Sequence, residues 1–214
     1  MQEKASTMLI IGLTGPSGAG KGLFSQIMQK KYGIDSIDAD EVYHALLIPP
    51  SPCLDQLCER FGKEILSPSG MLDRPTLARI VFSPEDASKR EKQINDLNAI
   101  THRFVLAEIE RLLFEAEKKG VRCVILDAPA LYESGADKMC ELLVTVTADK
   151  DTRVSRITER DGLPEEAARF RIRGQKDDGF YKRRADAVLY NDGTPEEFDR
   201  TVSMFYDTYV SPRL

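Results

Sequence analysis

An apolar run that breaks into glycines and restarts as a helix constrains this chain more than any other feature. Met8-Leu-Ile-Ile-Gly-Leu-Thr14 is short, rich in branched side chains, and followed by Gly15-Pro-Ser-Gly-Ala-Gly-Lys-Gly22. Such a run reads as a strand buried on both faces. Beyond the glycines, Leu23, Phe24, Ile27 and Met28 recur at helical spacing, and Lys30, Lys31 and Gly33 supply the cations and the glycine that close a helix. Strand, glycine loop and helix in that order turn successive backbone N–H groups toward phosphate oxygens, and the helix N-terminus adds partial positive charge. Gly15, Pro16, Ser17, Gly18, Ala19, Gly20, Lys21, Gly22 and Leu23 are therefore the expected phosphate cradle, with Lys21 reaching the β- and γ-phosphates of ATP.

The last position of this loop pattern ordinarily carries Ser or Thr, whose hydroxyl ligates Mg²⁺. Here it is Gly22, and neither Ser17 nor Ser25 stands at the required position. Either Mg²⁺ is held by carboxylates and by the several waters it usually keeps, or catalysis is impaired.

The rest of the chain supplies further strands and helices. Segments 34–38, 121–127, 142–147 and 187–190 read as strands. Residues 40–119 are mostly helical, interrupted at Pro49, Pro50 and Pro52 and again at Pro68, Gly70 and Pro75. Ile94, Leu97, Ile100, Phe104, Ile109, Leu112 and Leu113 mark one amphipathic helix or two. Apolar strands alternating with helices predict an α/β fold with a mainly parallel sheet covered on both faces, a P-loop three-layer sandwich. Lys150–Arg184 is about a sixth of the chain but holds eleven of its thirty Lys and Arg residues. It reads as an exposed helical pair, either a solvated charged face or a cationic lid over phosphates. The expected organisation is one domain over 1–214. Its core takes about 8–45, 120–150 and 185–214, a helical substrate-binding insertion about 46–119, and the lid about 151–184.

Two carboxylate segments stand at strand ends. Asp38-Ala-Asp40 follows the second strand, where a carboxylate can take a proton from an attacking hydroxyl. Asp40 can equally be a helix N-cap ahead of Glu41-Val42-Tyr43. Asp127 ends the strand before Ala-Pro-Ala-Leu-Tyr-Glu133, as a Walker B aspartate does, and can position Mg²⁺ through water or simply face solvent. Cys53, Cys58, Cys123 and Cys140 lack metal-ligand spacing and read as reduced structural or surface thiols. A net charge of −5 argues against nucleic acid as a bulk partner. No apolar run reaches the roughly 20 residues of a membrane span. MQEKAST has no apolar signal core, so the expected location is the cytoplasm.

Taken in order, these motifs resemble the dephospho-CoA kinase family over nearly the whole chain. IGLTGPSGAGKG is similar to its phosphate loop, IDADEVYH to its catalytic-aspartate segment, and IPPSP, FGKEIL and GMLDR to its substrate region. ITHRFV resembles its histidine-proline segment, with Arg103 in place of the proline. LDAPALYESG resembles its Walker B segment, RITERDGLPEEAARFRIRGQ its lid, and ADAVLYNDGT its last strand. The resemblance implies transfer of the γ-phosphate of ATP, with Mg²⁺, to the ribose 3′-hydroxyl of dephospho-CoA. It implies Asp40 as general base and Arg156 and Arg160 as lid arginines over the triphosphate, with Arg171 beside them. Asp38, His44, Arg74, His102 and Asp127 would serve the acceptor, and Asn191 to Gly193 would border the adenine. The expected partner is a small nucleotide, and the protein a monomer or small homo-oligomer. Pro16, Ala19 and Gly22 depart from the family pattern, all in the loop that holds ATP. They leave open a related kinase for another hydroxyl, or a nucleotide-binding module that no longer catalyses.

Overall fold

In the computed structural model, which describes residues 8–214, the first strand β1 (Leu9–Thr14) is buried along its whole length. The MQEKAST segment lies outside the described residues. The glycine loop leads into α1 (Lys21–Tyr32), which stops at Gly33, a left-handed residue at φ 65°. The next strand, β2 (Ser36–Asp38), starts later than the apolar pattern suggests. The Ile34 amide is bonded to the Met28 carbonyl at 3.4 Å, closing α1, so it cannot join a ladder.

Four helices follow: α2 (Ala39–Ala45), α3 (Pro52–Phe61), α4 (Arg74–Phe82) and α5 (Ala87–Lys118). Pro52 and Pro75, read above as breakers, instead open helices. A proline in the first turn removes only an N–H that has no helical partner. Ser51 and Asp73 cap these starts, accepting from the amides of Leu54 at 3.1 Å and Thr76 at 3.2 Å. Asp40 is not an N-cap: it lies inside the first turn of α2. The amphipathic stretch after Ser88 is one helix, α5. Ala39–Phe114 forms a compact unit by itself. Its core is Leu47, Cys53, Leu57, Phe61, Ile65, Leu77 and Val81, with Ile94, Leu97, Ile100 and Phe104 of α5 packed on it.

The other unit takes the residues up to Asp38 and Glu115–Leu214. It adds β3 (Cys123–Asp127), α6 (Leu131–Ser134), β4 (Leu142–Thr147), α7 (Lys150–Asp161), α8 (Glu165–Arg173), α9 (Asp178–Lys182), β5 (Ala187–Tyr190) and α10 (Pro195–Phe205). The strands lie in the order β2-β3-β1-β4-β5, all parallel. Leu9, Ile11, Leu13, Ile125, Val144 and Val146 share one core with Phe24 of α1 and Phe198, Val202 and Phe205 of α10. Phe24 is fully buried, worth about 1.5–3 kcal/mol of transfer free energy. Strand side chains alternate, so Thr145 points to the opposite face. There it donates to the Tyr181 carbonyl of α9 at 3.4 Å. Helices therefore cover both faces, as a parallel sheet requires. The chain connection leaves β1 toward β2 on one side and β4 toward β5 on the other, which opens a crevice at the strands' C-terminal ends.

The cationic stretch after β4 is not an exposed helical pair. It is three helices, α7 to α9, with a small core of Val154, Ile157, Ala168 and Ile172. Arg153 is one of its buried residues, only 5% exposed.

Candidate active site

The phosphate loop has the backbone its glycines allow. Gly15 and Gly20 sit at φ 140° and 104°, where other residues are strained. A Cβ at Gly15 would run into the Val146 carbonyl oxygen, and one at Gly20 into the Asn191 side-chain amide. Gly20 is the N-cap of α1 and gives no side-chain cap, and the first turn holds no carboxylate. The first-turn amides are therefore left for an outside anion, with the helix dipole behind them. Lys21 folds back to donate to the Gly15 carbonyl at 3.2 Å. Gly22 differs from the other two glycines: a Cβ there would meet nothing within 4 Å.

Three side chains from later in the chain hold the loop. Asn191, 2% exposed at the end of β5, donates from Nδ2 to the Ala19 carbonyl at 2.9 Å. Its own amide donates to the Thr147 carbonyl at 2.8 Å. Arg156 reaches the Gly18 carbonyl and Asn191 Oδ1, both at 3.5 Å. Gln175 accepts from the Ser17 amide at 3.1 Å. Asn191 thus serves the loop backbone directly. Gly193 lies beside the capping box that Thr194 and Glu197 make for α10.

Asp38 and Asp127 stand opposite each other in the β2–β3 ladder, and Leu13 is the β1 partner of Asp127. Both carboxylates therefore end their strands level with the approach to the loop. Among the described residues, no group of three or more His, Cys, Asp or Glu side chains is arranged to hold a metal. A protein-built cage is thus absent there. The arrangement fits Mg²⁺, which takes one or two carboxylates, phosphate oxygens and water.

The lid arginines divide by partner. Arg160 and Arg171 share the Asp161 carboxylate, at 2.7 Å each. The hydrogen bond from Arg160 is the main cause holding the Asp161 carboxyl below its ordinary value. Arg156 instead turns to the loop. The buried Arg153 pairs with Asp178 at 3.3 Å. Sequence reasoning missed Arg153 by counting it among exposed cations. Its spacing from the apolar Ile157, one helical turn on, was the available signal. Gln175 was passed over because an uncharged residue in a charged stretch gives no signal of its own.

In the unit Ala39–Phe114, Arg74 and His44 meet at 3.2 Å between NH1 and Nε2. Burial raises the neighbouring Tyr43 hydroxyl, and the Arg74 charge opposes the rise. His102 is half-buried on α5, and the following Arg103 bonds to Gln56 and lies over the Phe104 ring. All four cysteines are free. Burial pushes the Cys123 and Cys140 thiols up to about 12, too high for a nucleophile.

A family model described as dephospho-CoA kinase matches residues 9–197. A dephospho-CoA kinase of Corynebacterium glutamicum is 39% identical over 196 residues, covering 92% of this chain and 94% of the relative. One from Geobacillus kaustophilus is also 39% identical, covering 90% and 92%. Among solved structures, TT1252 from Thermus thermophilus superposes with a TM-score of 0.75 at 28% identity, covering 95% of this chain and 98% of that one. The dephospho-CoA kinase from Campylobacter jejuni, at 23% identity and a TM-score of 0.69, shares the fold and covers 96% and 98%.

Proposed function

The chain belongs to the dephospho-CoA kinase family, ATP-dependent kinases that phosphorylate the ribose 3′-hydroxyl of dephospho-CoA in the last step of coenzyme A synthesis, and we propose which residues carry that reaction here. The relatives favour neither alternative that Gly22 raised, a different acceptor or a silent nucleotide-binding module.

The uncapped, carboxylate-free start of α1 behind Gly20 carries the proposal. The backbone N–H groups of the Gly15–Leu23 loop, Pro16 excepted, hold the ATP phosphates. Lys21 and Arg156 stabilise charge on the transferring phosphoryl group, where most of the catalysis of such transfers arises. Arg160 joins them by exchanging Asp161 for phosphate. Asp40 takes the proton of the ribose hydroxyl. Asp38, His44, Arg74 and His102 contact the acceptor, and Gly193 borders the base of ATP. Asp127 would hold Mg²⁺ through water, and the metal would there supply neutralisation of phosphate charge. The same reading puts the enzyme in the cytoplasm, as a monomer or small homo-oligomer acting on a small nucleotide. Among the described residues, no helix is long and apolar enough to cross a membrane.

A magnesium titration of steady-state ADP release tests this assignment. Asp127→Asn raises the Mg²⁺ concentration for half-maximal rate by about 10- to 100-fold. Gly22→Ser lowers it several-fold, because the space beside Gly22 admits the side chain that returns a hydroxyl ligand. An unchanged midpoint in Asp127→Asn removes Asp127 from the metal site. An unchanged midpoint in Gly22→Ser shows that the lost hydroxyl is not what limits metal binding.

A further inference from the structure

The hydrogen bond between Gln175 and the phosphate loop has no place in the mechanism above. Ser17 belongs to neither strand nor helix, so its N–H is a donor that the loop offers outward. Gln175 Oε1 accepts it at 3.1 Å across a separation of 158 residues. The segment carrying Gln175 is fixed on both sides. The Gln175 amide bonds to the Ile172 carbonyl at 3.2 Å, continuing the end of α8. Two residues later, Asp177 caps α9, accepting from the Phe180 amide at 2.7 Å. The next residue, Asp178, is paired to the buried Arg153 of α7. The α7–α8–α9 region thus presents one neutral acceptor to the loop from a short, tethered strap.

We propose that Gln175 is a phosphate-displaced latch: its amide oxygen holds the Ser17 donor until a phosphate oxygen of ATP takes it. The inference rests on the reading of Gly15–Gly22 as the ATP phosphate loop. The chemistry favours exchange in that direction. A charged phosphate oxygen makes a hydrogen bond roughly twice as strong as a neutral amide oxygen does. A glutamate at the same position would hold the donor more strongly and repel the incoming phosphates. A neutral amide satisfies the donor and still yields. Gln175 is accordingly a positioning residue. It sets ATP affinity and frees the strap when nucleotide binds.

The test is equilibrium binding of a non-hydrolysable β,γ-imido analogue of ATP to the full chain, with adenosine as a phosphate-free probe. Gln175→Ala binds the analogue about 2- to 10-fold more tightly, the range of one net neutral hydrogen bond, with adenosine unchanged. Gln175→Glu binds it at least about 5-fold more weakly. The sign is decisive, since a residue that merely braces the loop would weaken analogue binding when cut to alanine. Weaker or unchanged binding in Gln175→Ala overturns the latch, as does unchanged or tighter binding in Gln175→Glu. The wild-type affinities separate the two levels. If the wild type binds the analogue no more tightly than adenosine, the phosphate-loop reading itself fails, and the latch with it.

Discussion

Asp40→Asn lowers turnover by about 10²- to 10⁴-fold while ATP still binds, the loss typical of a missing general base. Asparagine keeps the size of the side chain and one acceptor oxygen, but it cannot take the proton of the ribose hydroxyl. Asp40 sits in the first turn of α2, and that turn also holds Glu41. The helix N-terminus tolerates the neutral replacement, because the dipole contribution of one exposed carboxylate is about 0.3–1 kcal/mol. The fold should therefore survive, so the rate reports the chemistry. Single-turnover rates with bound ATP check this directly. Turnover within about threefold of the wild type would remove Asp40 from the mechanism.

Lys21→Met has a comparable effect by a different route. Methionine keeps much of the aliphatic stem and deletes the charge. The Lys21 ammonium donates to the carbonyl of the buried Gly15 at 3.2 Å. Its loss strands no buried charge and removes one hydrogen bond, a stability cost of about 0.5–1.5 kcal/mol. The catalytic loss should be large, because a charge aimed at a developing phosphoryl anion acts in a site that excludes water. Removing one such donor costs about 10²- to 10³-fold in kcat. A rise in KM for ATP with kcat intact would mean that Lys21 binds the ground state and the transition state equally.

Much of the fold could be read from the chain because buried parallel strands announce themselves. Leu142–Thr147 and Ala187–Tyr190 fall where the branched runs place them. The starts of β2 and β3 were harder to place. Helix closure consumes the Ile34 amide, and Val121 is 38% exposed, outside the buried run that begins at Cys123. Proline was misread where it opens α3 and α4, since the same residue that ends one helix suits the first turn of the next. The phosphate loop was legible because glycine spacing encodes backbone geometry. What holds the loop was less so. Asn191 was noted as a neighbour of the adenine, yet its side chain serves the Ala19 carbonyl 172 residues away. Gln175 and Arg153 act through tertiary contacts that no local pattern records. The structure also separates arginines that look alike in sequence: Arg156 faces the loop, while Arg160 and Arg171 are drawn together by Asp161.

The most direct measurement is ADP release by the purified protein with MgATP, with and without dephospho-CoA, and the mass of the product. The account predicts ADP release that depends on dephospho-CoA, one ADP for each molecule that gains a phosphate to become coenzyme A. ATP binding without any stimulation by dephospho-CoA, and no product of increased mass, would contradict it.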